Sequence, residues 1–187
     1  TKEKTFEADK VVIAAGSSKK VWELCKTLNH KIIEPVPSLF TFNINDKRLT
    51  DLLGTSVPNA TVNISGTKLE ASGPLLITHW GMSGPAVLKL SAFGARILAD
   101  KNYQYNVEVN WLSRSTDKIL NVLLNLKKKE PRKTVVLKSP FAEISKRLWE
   151  RFVLAADIRI NQNWADLNNK QLDNLANQLT KGVYNAN

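Results

Sequence analysis

A chain of 187 residues, 43% hydrophobic and 24% charged, has the make-up of a globular protein with room for one real core or two small ones. Its formal charge of +10 admits nucleic acid as a partner, while its single cysteine excludes internal disulfides and cysteine-based zinc clusters and fits a reducing cytoplasm. No apolar run approaches the ~20 residues of a membrane span, and the first ten residues lack the apolar core of a signal peptide.

Along the chain, Lys4–Phe6 and Lys10–Ala14 read as two strands around the turn-forming Ala8-Asp9, the second a continuous apolar run of the kind buried in parallel sheets. Ser17-Ser18 then cap a helix with Val21, Trp22, Leu24, Cys25 and Leu28 on one face. Pro35 and Pro37 break the chain, and residues 38–78 read as β. Leu39, Phe40, Phe42 and Ile44 form one strand and Val57–Ile64 a second. Ser65-Gly66 turns into Thr67–Ala71, and Leu75–Thr78 follows Gly73-Pro74. Gly84-Pro85 opens a helix running to about Leu98, and Tyr103–Trp111 alternates as a half-buried strand.

Beyond Leu112 the period changes from two to about 3.6. Helices are expected from Ser115/Thr116, from Ser139-Pro140, and from Asp166 or Asn168, the last ended by Gly182. Thr134–Leu137 reads as a short strand or an extended link. The expected fold is α+β: a small β-barrel-like unit with a crossing helix over residues 37–112, then a compact helical subdomain over 113–187.

The chemistry-bearing residues are sparse. His30 reads as a cap at the end of the first helix, and His79 as a hydrogen-bonded turn residue, since no carboxylate or nucleophile stands near it in sequence. Neither spacing suits zinc, so no catalytic residue and no metal site are expected. Cys25 and most of the five tryptophans read as packing residues; Trp80 lies in the Thr78–Pro85 stretch, where it could stack near a ring. The cationic excess is concentrated in residues 118–151, which hold 10 basic and 3 acidic residues centred on Lys127-Lys128-Lys129 and Arg132-Lys133. A phosphate-tracking surface there is the less favoured reading, and a solvated face the more favoured one, because no stacking aromatics are interleaved.

Three segments together carry a resemblance: Thr78-His79-Trp80-Gly81-Met82-Ser83-Gly84-Pro85, Pro35–Phe42, and Val11-Val12-Ile13-Ala14-Ala15-Gly16. With them the chain resembles the bacterial HI0933-like flavoproteins, FAD-dependent and NAD(P)H-linked oxidoreductases. The resemblance implies that residues 1–36 are a remnant of a Rossmann-type FAD domain, strands plus helix and linker, with Ala14, Ala15, Gly16 and Ser17 near the cofactor. Residue 15 departs from the family's Ala-Thr-Gly at this strand end. In such a protein His79, Trp80, Gly81, Ser83 and Gly84, around the Gly81–Pro85 helix start, are expected to form an edge facing the flavin or an anionic substrate.

None of the eight glycines, at 16, 54, 66, 73, 81, 84, 94 and 182, falls into the G-x-G-x-x-G spacing of a pyrophosphate loop. The expectation is therefore an insert domain that shapes the substrate side of a flavin site in an intact parent, with no FAD held by this segment and no catalysis by it alone. Its expected partners are the rest of the parent and a small-molecule substrate, with NAD(P)H possible and no membrane. The alternative, from a different class, is a basic nucleic-acid-binding module built from the barrel and the helical unit.

Overall fold

Residues 4–35 contain the expected helix, α1 (Lys19–Thr27), but no strand among the residues that the computed structural model describes, which are 4–187. Lys4–Phe6 and Lys10–Ala14 run without ladder partners, which corrects the two-strand reading of this segment. An apolar run becomes a strand only when neighbours satisfy its N–H and C=O groups. Here Val11 and Val12 stay 80% and 89% exposed, and α1 buries no residue fully.

Residues 36–187 form a separate compact unit. Six strands, β1 (Phe42–Asn43), β2 (Ser56–Ile64), β3 (Glu70–Ile77), β4 (Gly81–Ser83), β5 (Tyr105–Asn110) and β6 (Gly182–Ala186), join in the order β1-β4-β3-β2-β5-β6. Every pairing is antiparallel. The Asn187 N–H donates to the Asn43 carbonyl at 3.0 Å, so the last strand returns beside the first and the sheet curls almost into a barrel. Period-two alternation decides which side is the interior. Val57, Val62 and Ile64 of β2 and Val107 and Val109 of β5 are buried, whereas Thr61, Asn63 and Glu108 lie on the outside. One extra residue of β2 at Pro58-Asn59 bulges the ladder against β3, which is where a strand can hold a proline.

The crossing helix is split at Gly94 into α2 (Pro85–Phe93) and α3 (Ala95–Asp100), and α2 buries Ala86, Val87 and Leu90 against the sheet. Three longer helices follow: α4 (Thr116–Lys129), α5 (Lys146–Ala155) and α6 (Asn169–Thr180). Asn168 and Gln171 close a capping box that fixes the start of α6. The start of α5 lies at Ser145, whose hydroxyl accepts from the Leu148 N–H, and not at Ser139-Pro140. Ser139 instead bonds locally to Phe141, and the link it begins buries Phe141 and Ile144. Val135–Leu137 is a single 3-10 turn, neither strand nor extended link.

The helical half is not purely helical. After α6 the chain re-enters the sheet as β6, pairing Gly182–Ala186 with Tyr105–Val109 of β5. Gly182, Tyr184 and Ala186 alternate inward, so the residues beyond Gly182 continue the barrel. Trp111 joins the two halves. It is fully buried, its backbone N–H donates to Leu179 O of α6 at 2.9 Å, and its ring meets Phe152 of α5 and Tyr184 of β6. Barrel and helices thus share one apolar core.

Candidate functional site

The Thr78–Gly81 segment is a tight reversal between β3 and β4. The Thr78 N–H donates to Gly81 O at 2.9 Å, the Trp80 N–H reaches Thr78 Oγ1 at 3.3 Å, and Trp80 O accepts from the Ile44 N–H at 2.7 Å. Gly81 stands at φ +144, and a Cβ there would lie 2.4 Å from Phe42 O and 2.5 Å from Ile44 N. Only glycine lets β1 approach this closely. The reversal is therefore pinned to the chain that leaves β1.

That chain supplies the facing wall of a cleft of about 400 Å³, lined by Asn45, Asp46, Thr50 and Asp51 on one side and Thr78, His79 and Gly81 on the other. Trp80 projects beside it, 72% exposed. Its ring thus faces solvent and not the core.

The 44–53 loop is held at its near end by an ion pair. Asp46 Oδ1 accepts from the Arg48 N–H at 2.8 Å and from Nε at 2.9 Å, and Oδ2 accepts from the guanidinium at 2.7 Å. Burial pushes the Asp46 carboxyl up, but the hydrogen bonds and charge of Arg48 outweigh it and hold the pKa below the ordinary carboxylate value. The Arg48 fork continues to Gln178 Oε1 of α6 and to Val183 O of β6, and it stacks 3.9 Å from the centre of the Tyr184 ring. Tyr184, wholly buried, has its hydroxyl pKa pushed up by that burial and accepts from Trp111 Nε1 at 3.1 Å. One guanidinium thus fastens the cleft loop, the last strand and the helical half together.

At its far end the loop meets α5 through Arg151 and Asp51, 3.4 Å apart and exposed. A second cleft of about 390 Å³ lies on the outer face of the sheet, but Glu70, Glu108 and Asp117 line it and it does not include the Thr78–Pro85 stretch. Among the described residues no group of three potential metal-ligating side chains converges.

The structure divides the residues singled out in the sequence. His79 and Gly81 line the 44–53 cleft and Trp80 flanks it, whereas Ser83 and Gly84 serve packing and turn geometry. Ser83 Oγ accepts from Thr41 Oγ1 at 3.2 Å. Gly84, at φ +97, begins α2, and a Cβ there would be 2.7 Å from Pro74 O. The first turn of α2 is covered, with Ala86 and Val87 fully buried, so its N–H groups do not open outward for an anion. Ala14, Ala15, Gly16 and Ser17 are exposed, with a turn at Gly16-Ser17. As they stand, these four residues do not make a cradle that fits FAD, which needs a glycine-rich approach to its pyrophosphate.

Asn45, Asp46, Thr50 and Asp51 were not legible as site residues in the sequence. The only local signal was the turn chemistry of Asn45-Asp46, and the pairing of β1 with β4 is what brings them to the motif.

Comparison with known proteins agrees with this architecture. The family model of the HI0933-like protein barrel and H2TH domain matches residues 36–185, and the chain belongs to that family. The match begins where the second compact unit begins. A curated relative, the ribosomal RNA dihydrouridine synthase of Haemophilus influenzae, is 31% identical over 110 residues. The aligned part covers 55% of this chain and 27% of the relative, so the chain spans about a quarter of that protein's length. No helix among the described residues is long and apolar enough to cross a membrane.

Proposed function

We propose that this member of the HI0933-like family is the substrate-facing middle domain of a larger flavoprotein that reduces a base in RNA, and that it does no redox chemistry by itself. The observation that carries the reading is the cleft in which the Thr78–Gly81 reversal meets the 44–53 loop. It lies within the family-matched region, and a curated relative of this chain is named for rRNA dihydrouridine synthesis. Saturating the C5–C6 bond of a uracil requires a base lifted from its stack, shielded from water and held still. A half-open cleft with amide, hydroxyl and carboxylate edges and an exposed indole beside it suits that task. Redox chemistry belongs to the remainder of the parent, with FAD and NAD(P)H as its reagents. The exposed apolar run Val11–Ile13 would find its strand partners in that remainder, and a cytoplasmic location is part of the same reading.

The two functional classes open at the sequence level, flavoprotein insert and nucleic-acid module, become one here. The barrel shapes the base cleft and the cationic helical half holds the backbone. The test is the full-length parent, incubated with FAD, NAD(P)H and rRNA, with mass spectrometry of the nucleosides. Gain of two hydrogens on a uridine, abolished by widening the Thr78–Gly81 reversal, is expected. Reduction of small molecules with rRNA left untouched would sink the reading.

A further inference from the structure

The cations of this chain do not all remain available to a partner. Lys127, first of the lysine run that dominates the sequence, donates to the backbone oxygen of Leu167, and Lys133 pairs with Glu130 at 2.9 Å. The run ends α4, which packs on α6 and on the turn at Trp164–Asp166. Besides Arg48, which is committed to Asp46, a cation that meets the rim of the candidate cleft is on α5. Arg151 touches Asp51, which lines that cleft, and Arg147 lies one turn earlier on the same stripe of the helix. No ion-pair partner for Arg147 is found among the described residues, and its side chain is exposed.

We infer that Arg147 and Arg151 are the phosphate seat of the RNA whose base enters the 44–53 cleft, and that Asp51 occupies that seat in the free protein. This rests on the RNA reading above. Residues four apart on a helix are separated by about 6 Å along its axis, so two guanidiniums can hold neighbouring phosphates of one strand. Arginine suits this role because its planar fork binds a phosphate through two parallel hydrogen bonds. The Arg151–Asp51 pair is 3.4 Å long with side chains 34% and 78% exposed, a weak contact that a phosphate can displace. The Arg48–Asp46 pair in the same loop is 2.7 Å long and 16% and 23% exposed, and it stays in place. The loop therefore has one fixed and one exchangeable end, and the exchangeable end is the one beside the basic helix.

The test is salt-dependent binding of a short uridine-rich single-stranded RNA to the 187-residue chain, measured by anisotropy, with circular dichroism to confirm that each variant is folded. Arg151→Ala should weaken binding about eightfold at 0.1 M salt and lower the slope of log K against log salt by about one. Arg147→Ala with Arg151→Ala together should lower it by about two. Asp51→Asn should tighten binding roughly two- to fivefold, because the arginine no longer has a carboxylate to leave. A merely structural Arg151–Asp51 contact predicts no gain from Asp51→Asn. If the wild-type slope survives in the double arginine variant but falls in Lys128→Ala with Lys129→Ala, the inference is wrong and the RNA reading stands. If the wild type binds no RNA, both fall together.

Discussion

Gly81→Ala is the sharpest test of how the cleft is built. The added Cβ would lie 2.4 Å from Phe42 O, 2.5 Å from Ile44 N and 2.9 Å from Ile44 Cβ, all closer than real Cβ contacts, and two of the three are backbone atoms that no rotamer change can move. The neighbouring strand must shift, and the bonds that hold the reversal, Ile44 N–H to Trp80 O and Thr78 N–H to Gly81 O, go with it. Residue 81 would also hold a positive φ of 144° with a side chain, a strain of about 1 to 3 kcal/mol. Overpacking adds about 1 to 3 kcal/mol, and each lost hydrogen bond about 1. Partial relaxation trades these costs against one another, and about 4 kcal/mol is the expected loss, a drop of roughly 8 to 16 °C in Tm for a domain of this size. Urea and thermal melts of the chain measure it. Gly66→Ala is the control, since no atom lies within 4 Å of its Cβ position, and it should cost about 1 kcal/mol. A Gly81→Ala protein melting within about 2 °C of the wild type would refute the close approach of β1 and β4.

Tyr184→Phe should cost about 1 to 3 kcal/mol in urea unfolding, because it leaves the buried Trp111 N–H without its acceptor; a neutral change would show that Trp111 bonds elsewhere. Arg48→Lys keeps the charge but loses the fork, and hydrogen exchange at the Leu49 and Leu52 amides of the cleft loop should speed up; unchanged protection would mean that Arg48 does not fasten the loop. The Asp46 carboxyl has a folded-state pKa below the ordinary value of 3.8, so its stabilisation is complete above that value and is lost as the pH falls through the folded one. The stability gap between wild type and Asp46→Asn should therefore be constant near neutral pH and close in acid below about pH 4, and a gap that widens in acid would reverse the sign. FAD titrated into the chain should leave its Tm unchanged, since residues 14–17 are exposed; a stoichiometric yellow complex would reveal a cofactor site.

What the sequence made legible is what short-range patterns encode. The alternation of Val62 and Ile64 against Thr61 and Asn63, the Pro85 helix start and the leucine periodicity of α4 and α6 each depend on neighbours within a turn or a hairpin, and each has its counterpart in the structure. β6 was missed because five residues after a helix carry little pattern, and their partner strand lies more than seventy residues away. β4 was missed because Gly81–Ser83 carries turn residues, and only the pairings with Phe42–Asn43 and Leu76–Ile77 make it a strand. The run Lys10–Ala14 misled in the opposite way: its composition asks for a buried strand, but composition does not supply the neighbours. In the site, the Thr78–Gly81 wall was legible as a motif and the 44–53 wall was not, because a cleft is a property of two segments and the sequence shows them one at a time.

The same distinction governs charge. In the sequence Lys127–Lys129 is the densest run and Arg151 only the last cation of the basic window. In the fold, Lys127 is committed to Leu167 O, while Arg151 stands at the rim of the cleft. A cation's availability depends on what its nearest acceptor would lose by releasing it. Release of Lys127 would leave the carbonyl of the buried Leu167 to find another donor, whereas the exposed Asp51 carboxylate has water at once. Local density of lysines therefore measures the attraction felt at long range, and the partner's final register is set by the few cations whose present contacts are cheap to give up. On the RNA reading proposed above, the basic half of this chain would steer the strand broadly, and α5 would decide where it stops.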